Sequence, residues 1–175
     1  SGYADNGGGA YLKDCSPSFT NCTFTNNSAV THGGGVYVLS ATSTLIDCLL
    51  TGNSAGNDGG GVYLEARQSQ MSGCEITDND TFNDGGGIAC VVNSTMQLTD
   101  CVINGNQITG GASNAYGGGV YIYQSTTDIS GCTIQDNASP EFGGGVYTES
   151  SATSVQETTI CANTPDQTTG PYTDN

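Results

Sequence analysis

Short alternations of apolar and polar residues recur along this chain at a nearly fixed interval. Glycine triplets begin at Gly7, Gly33, Gly59, Gly85, Gly117 and Gly143, spaced by 26, 26, 26, 32 and 26 residues. After each triplet stands Ala10, Val36, Val62, Ile88, Val120 or Val146, and two residues later Leu12, Val38, Leu64, Cys90, Ile122 or Thr148. Between them lies Tyr11, Tyr37, Tyr63, Ala89, Tyr121 or Tyr147. Period-two alternation marks a strand with one buried face, so it predicts the flanking pair inside and the tyrosines outside, exposed to solvent. A second apolar column runs Phe19, Leu45, Met71, Leu98, Ile129 and Val155. A third strand opens with Cys22, Cys48, Cys74, Cys101 and Cys132, with Thr158 in the last unit. Two residues on, it carries Phe24, Leu50, Ile76, Ile103, Ile134 and Ile160.

No unit has enough inward side chains to fold alone, but stacked units share a continuous core. Leucine-rich repeats have a similar period, yet they space their leucines differently and commonly include a helical segment. Here Gly, Thr, Ser and Asn dominate. The pattern predicts an all-β fold, a right-handed parallel β-helix. It is a three-sheet solenoid of six turns of about 26 residues, a single domain over residues 1–175. At a strand spacing of roughly 4.8 Å, six turns make a rod roughly 30 Å long. The fourth unit has one extra residue around "VVNST" and five more after Asn106, which predicts a surface loop at 107–116.

Three residues after the last apolar position of each unit stands an asparagine: Asn27, Asn53, Asn79, Asn106, Asn137 and Asn163. Asparagine tolerates positive φ at a corner, and stacked amides can bond from rung to rung. A ligand-binding row of amides is the other reading, but a position filled in every turn is what architecture requires. Sequons at Asn21, Asn26, Asn79, Asn93 and Asn137 divide accordingly, with Asn79 and Asn137 expected to be buried in the ladder. The cysteine column, Cys22, Cys48, Cys74, Cys101 and Cys132, is expected to pack inward as small hydrophobes. Neighbouring rungs come within disulfide range, but the torsion is specific. A line of cysteines without a histidine cluster is no tetrahedral metal cage. Cys15 and Cys161 lie off the column, and a Cys15–Cys22 bridge stays open.

Charge narrows the partners. The 17 acidic side chains face only two basic ones, Lys13 and Arg67, for a formal charge of -15. Nucleic-acid phosphates and anionic membranes both need a cationic footprint, so neither is an expected partner. No apolar stretch approaches the length of a membrane span.

Candidate chemistry is sparse. The outward strip of Tyr11, Tyr37, Tyr63, Tyr121, Tyr123 and Tyr147 could stack on itself, meet another protein or bind a glycan. "NDGGG" occurs twice, placing Asn57 and Asp58 on Asn83 and Asp84, where stacked carboxylates invite a hard cation such as Ca²⁺. The single histidine, His32, reads as a solvated corner residue. Acidic pairs such as Glu65 and Glu149 fall on separated turns, so no catalytic pair is expected, and the chain is not read as an enzyme. No cofactor is required. At the amino-terminal end Ser1 takes the phase of the ladder asparagine with no strand before it, which suggests a homo-oligomer joined head to tail or a longer parent solenoid. At the other end Pro165 and Pro171 mark a non-repeat tail at 164–175.

"FTNN" from Phe24 to Asn27 and "GGGI" from Gly85 to Ile88 resemble the repeats of chlamydial-type polymorphic outer-membrane proteins. The closing "CANTPDQTTGPYTD" looks like the end of β-helix domains in secreted bacterial proteins. Most units replace the phenylalanine with Leu or Ile. The resemblance implies pectin-lyase-like architecture and an extracellular or cell-surface structural or adhesive module. It carries over no catalytic residue, because the acidic and basic constellation of the enzymes sharing that fold is missing. A carbohydrate-binding module using the tyrosine strip is the alternative, with a polysaccharide lyase or hydrolase behind it.

Overall fold

Asn53 shows why the chain coils as it does. Its side-chain amide donates to Phe24 O in the turn before and to Asn79 Oδ1 in the turn after, each at 2.9 Å. Its Oδ1 accepts from both the backbone and the side-chain nitrogen of Asn27 at 3.0 Å. Every hydrogen-bonding capacity of the amide is used, inside a corner where water cannot serve. Asn79, Asn106 and Asn137 repeat the arrangement. Gln167 Oε1 ends the row, accepting from the backbone and side chain of Asn163 at 3.1 and 3.0 Å. Asn79 and Asn137 are buried, as the ladder requires.

The computed structural model describes residues 2–110, 114–171 and 173–174. It is a parallel β-solenoid of six turns, and every strand pairing is parallel. Four sheets line it where three were expected. One turn reads Ser54–Ala55, Val62–Glu65, Gln68–Ser72 and Glu75–Thr77, one strand to each sheet. The unforeseen sheet holds Tyr3–Asn6, Ser28–His32, Ser54–Ala55, Asp80–Thr81 and Gln107–Ile108. Its strands shrink to two residues with one small inward side chain, Ala55 or Thr81, so no apolar column announces them. The core is otherwise the predicted one. Val36, Val62, Ile88 and Val120 stack, as do Leu45, Met71 and Leu98, and Leu50, Ile76, Ile103 and Ile134.

Sharp corners separate the sheets, and they correct the account of the asparagines. Positive φ falls on the residue before each ladder asparagine, namely Asn26, Gly52, Asp78, Gly105, Asp136 and Ala162. The ladder residue itself serves by its amide. Each glycine of a triplet has its own reason, as Gly33, Gly34 and Gly35 illustrate. Gly33 sits at φ +66. A Cβ on Gly34 would lie 2.5 Å from Ser54 O and run into Gly60 O. One on Gly35 would meet Gly61 O at 2.6 Å and the Asn53 amide at 3.2 Å. The glycine strip and the asparagine ladder are thus two sides of one close approach.

Two boundaries move. The expected loop at 107–116 begins as strand Gln107–Ile108 and rejoins the solenoid where Tyr116 bridges Phe142, while residues 111–113 lie outside the described residues. The expected tail at 164–175 does not leave the coil at once. Thr168–Thr169 pairs with Val146 and Tyr147, and Thr173–Asp174 pairs with Ser154 and Val155 on the far side of Pro171.

Asn79→Ala should cost roughly 4 kcal/mol in urea unfolding, since it strands buried groups on both neighbouring turns. Asn27→Ala, whose Oδ1 accepts among the described residues from Gly2 N alone, should cost about 1 kcal/mol. Glycine substitutions should separate as sharply. Gly34→Ala drives a methyl into the backbone of the next turn and should cost at least about 3 kcal/mol. Gly52→Ala, in a corner column that already admits Asn26 and Asp78, should cost about 1 kcal/mol.

Candidate functional site

The strands Ala10–Lys13, Val36–Leu39, Val62–Glu65, Ile88–Val91, Val120–Tyr123 and Val146–Glu149 form the sheet that carries the outward tyrosines. Register places Tyr11, Tyr37, Tyr63, Ala89, Tyr121 and Tyr147 in one file, with Tyr123 in the next file beside it. The rings point away from the core, as alternation predicted. Those of Tyr37, Tyr63 and Tyr121 are nevertheless buried, which corrects the expectation for them. Tyr37, Tyr63 and Tyr121 are only 7, 8 and 9% exposed, whereas Tyr11 is 48% exposed.

Rung spacing causes this shelter. Rings one strand apart are at stacking distance, so Tyr11 and Tyr37 lie 5.2 Å apart at 7°, and Tyr37 and Tyr63 lie 5.1 Å apart at 3°. Tyr121 and Tyr147 continue at 5.8 Å, and Tyr116 stacks on Tyr147 at 4.5 Å. Ala89 interrupts the file yet is fully buried, in a second apolar cluster with Val91, Leu39, Tyr116 and Tyr123. Ring faces that a sugar would use are spent on other rings. Burial, with Glu65 next, raises the Tyr37 phenol above its usual range; burial and then Asp58 raise Tyr63, and burial and then Asp84 raise Tyr121.

Beside the tyrosines runs a polar file formed by the residue before each of the first four glycine triplets, Asn6, His32, Asp58 and Asp84. His32 pairs with Asp58 across the turns, and its Nε2 stands 3.2 Å from Asp58 Oδ2. The imidazole leans on Tyr63 with ring centres 4.5 Å apart. His32 is therefore a packed residue set against a carboxylate and not the solvated corner residue expected. One turn on, Asp84 N donates to Asp58 Oδ1 at 3.1 Å, and Asp84 Oδ1 accepts from Tyr116 N at 2.8 Å. Burial pushes the Asp84 carboxyl up to about 7, opposed by that Tyr116 bond and aided by the charges of Asp58 and Glu149.

The four residues offered for a cation do come together, since Asn83 Nδ2 donates to Asn57 Oδ1 at 2.7 Å. Asn57 Oδ1, Asp58 Oδ1 and Asp84 Oδ1 each accept from a protein donor. Among the described residues no group of three His, Cys, Asp or Glu side chains converges to hold a metal. What the file can do is take up a proton near neutral pH, at Asp84, next to the contact between His32 and Asp58. Sequence reasoning placed Asp58 on Asp84 but missed that Asn6 and His32 continue the file, because these share with the aspartates only a position before the triplet. A groove of about 390 Å³ between Asn93, Gln124 and Ser150 lies at a corner away from the file and is lined by hydroxyls and amides. Glu65 and Glu149, on the tyrosine-bearing strands, remain on separated turns.

A family model described as a right-handed beta helix region matches residues 3–164. No curated protein and no solved structure gives a significant match. Among the described residues no helix is long and apolar enough to cross a membrane.

The raised carboxyl of Asp84 has a definite pH signature. Unfolded, it ionises near pH ~4; folded, near about 7. Between those values the folded chain holds a proton that the unfolded chain has lost, so this group's contribution falls as pH rises through the window and is flat above it. Asp84→Asn keeps the bond from Tyr116 and stays neutral. Relative to the native chain it should gain of order 1–2 kcal/mol between pH 4 and 8, discounted for the residual exposure of the carboxyl. Urea unfolding of both proteins across that range reads the difference.

Proposed function

The chain belongs to the right-handed β-helix family, and from that premise we propose that it serves as a structural or adhesive rod of an extracellular or cell-surface protein. The observation that carries the reading is the use of the outward tyrosines. Three consecutive rings lie within 5.1–5.2 Å of one another and nearly parallel, so they stiffen the sheet as a continuous file. The asparagine ladder does the same along the inside of a corner. Both devices resist bending and separation of the turns. The charge of -15 suits a hydrated surface in saline surroundings, where salt shortens the reach of self-repulsion.

A carbohydrate-binding module would want open ring faces, and within the strip Tyr11 alone is exposed. The rod reading is therefore favoured on packing grounds.

Single-molecule stretching tests it. The native chain should unfold in steps of about one 26-residue turn. Tyr37→Ala with Tyr63→Ala should lower the force per step without changing the step length. Beads coated with the native chain should adhere to a target surface, and sedimentation velocity on the same preparation reads the end-to-end association expected above. Retention of a specific glycan on an array, lost on Tyr11→Ala, would replace this reading with carbohydrate binding.

A further inference from the structure

Five cysteines form a line that neither the core nor the rod reading requires to be sulfur. Cys22, Cys48, Cys74, Cys101 and Cys132 each precede a strand: Thr23–Thr25, Leu49–Thr51, Glu75–Thr77, Val102–Asn104 and Thr133–Gln135. Those strands pair in unbroken parallel register, so the thiols follow one another at the rung spacing, roughly 4.8 Å. All are free. Cys48, Cys74, Cys101 and Cys132 are at most 2% exposed, while Cys22 is partly exposed and opens the line to solvent. Cys101 N donates to Cys132 Sγ at 3.4 Å. The other partners are carbonyls at long range: Cys74 Sγ to Leu45 O at 3.5 Å, and Cys101 Sγ to Met71 O at 3.5 Å. An S–H is a weak donor, so these bonds are readily given up.

We propose that this thiol line is a binding site for a soft monovalent cation, Cu(I) or Ag(I), held in line between the sulfurs of successive turns, with Cys74–Cys101 and Cys101–Cys132 as the principal pairs. Thiolates select soft ions over hard ones. Zinc in a structural site wants four ligands in a tetrahedron, which a line does not offer. A metal–thiolate bond measures roughly 2.3 Å, so two in line span roughly 4.6 Å, close to the rung spacing. The ion displaces one thiol proton: Cys–SH and M⁺ give Cys–S–M and H⁺. The neighbouring sulfur keeps its proton and donates a lone pair, and the released proton goes to solvent. The unit is neutral, so no net charge is buried in the apolar column.

The test uses the full chain, reduced and anaerobic, with Cys15→Ser and Cys161→Ser removing the two exposed thiols. Titration with Ag(I), followed by native mass spectrometry and calorimetry in two buffers, should find at least one ion per chain and one proton released per ion. The thermal midpoint should rise. Adding Cys101→Ser, which breaks both principal pairs, should weaken binding at least about tenfold, and Cys74→Ser, which leaves the pair Cys101–Cys132, should weaken it less. Cys90→Ser should change nothing, because Cys90 is buried in another sheet with Leu64 and Ile122 as its file neighbours. The column tolerates a hydroxyl, since Thr158 occupies it in the last turn and accepts from Cys132 N at 3.2 Å. Circular dichroism confirms that each variant is folded. Binding that survives both Cys101→Ser and Cys74→Ser, or that lowers the midpoint, overturns the proposal.

Discussion

A coiled backbone whose turns lie directly above one another must satisfy its polar groups on the inside of every corner without water. The asparagine amide meets that demand because it offers two donors and a doubly accepting oxygen in one plane. Asn53, Asn79, Asn106 and Asn137 use all of these capacities, linking the turn before to the turn after. Close approach then dictates the glycines opposite: the third glycine of each triplet lies against an amide, and the second lies beneath a carbonyl. The apolar columns fill the space that this frame encloses. Serine or aspartate at a ladder position would lack either a donor or the reach, and the frame would open at that turn.

Stacking that settles the inside also settles the outside. Any file of side chains is repeated at the strand spacing, so outward rings meet face to face and outward carboxylates meet like charges. The tyrosines turn this into packing energy. The acids need relief, and it comes in different forms along one file: an imidazole for Asp58 and a backbone donor plus a retained proton for Asp84. A sheet face that is geometrically external can therefore behave chemically as an interior.

The inner columns, the parallel coil and the amide ladder could be read from spacing alone, because an identical residue every 26 positions leaves few geometries. What escaped was set by the third dimension. Alternation shows that Tyr63 points outward, but its shelter depends on His32 and Tyr37 from other turns. The fourth sheet escaped because two-residue strands such as Ser54–Ala55 carry no periodicity. Positive φ was placed on the asparagines because that residue type tolerates it; the turn falls one residue earlier, on a mixed column of Asn, Gly, Asp and Ala. His32 was noticed and undervalued, since its partner Asp58 lies 26 residues on and only the register of the turns joins them.

Near-identical rungs raise a hazard of their own: a nascent chain could dock one lap out of phase and still find asparagine opposite asparagine. The irregular stretch works against this. Ladder partners are 26 residues apart between Asn53 and Asn79, but 27 between Asn79 and Asn106 and 31 between Asn106 and Asn137. A lap displaced by one would leave slack in one place and a shortfall in another, and would set Ala89 where a ring is needed. The unequal laps act as a vernier, marking which winding is which and letting a monotonous thread close into one coil.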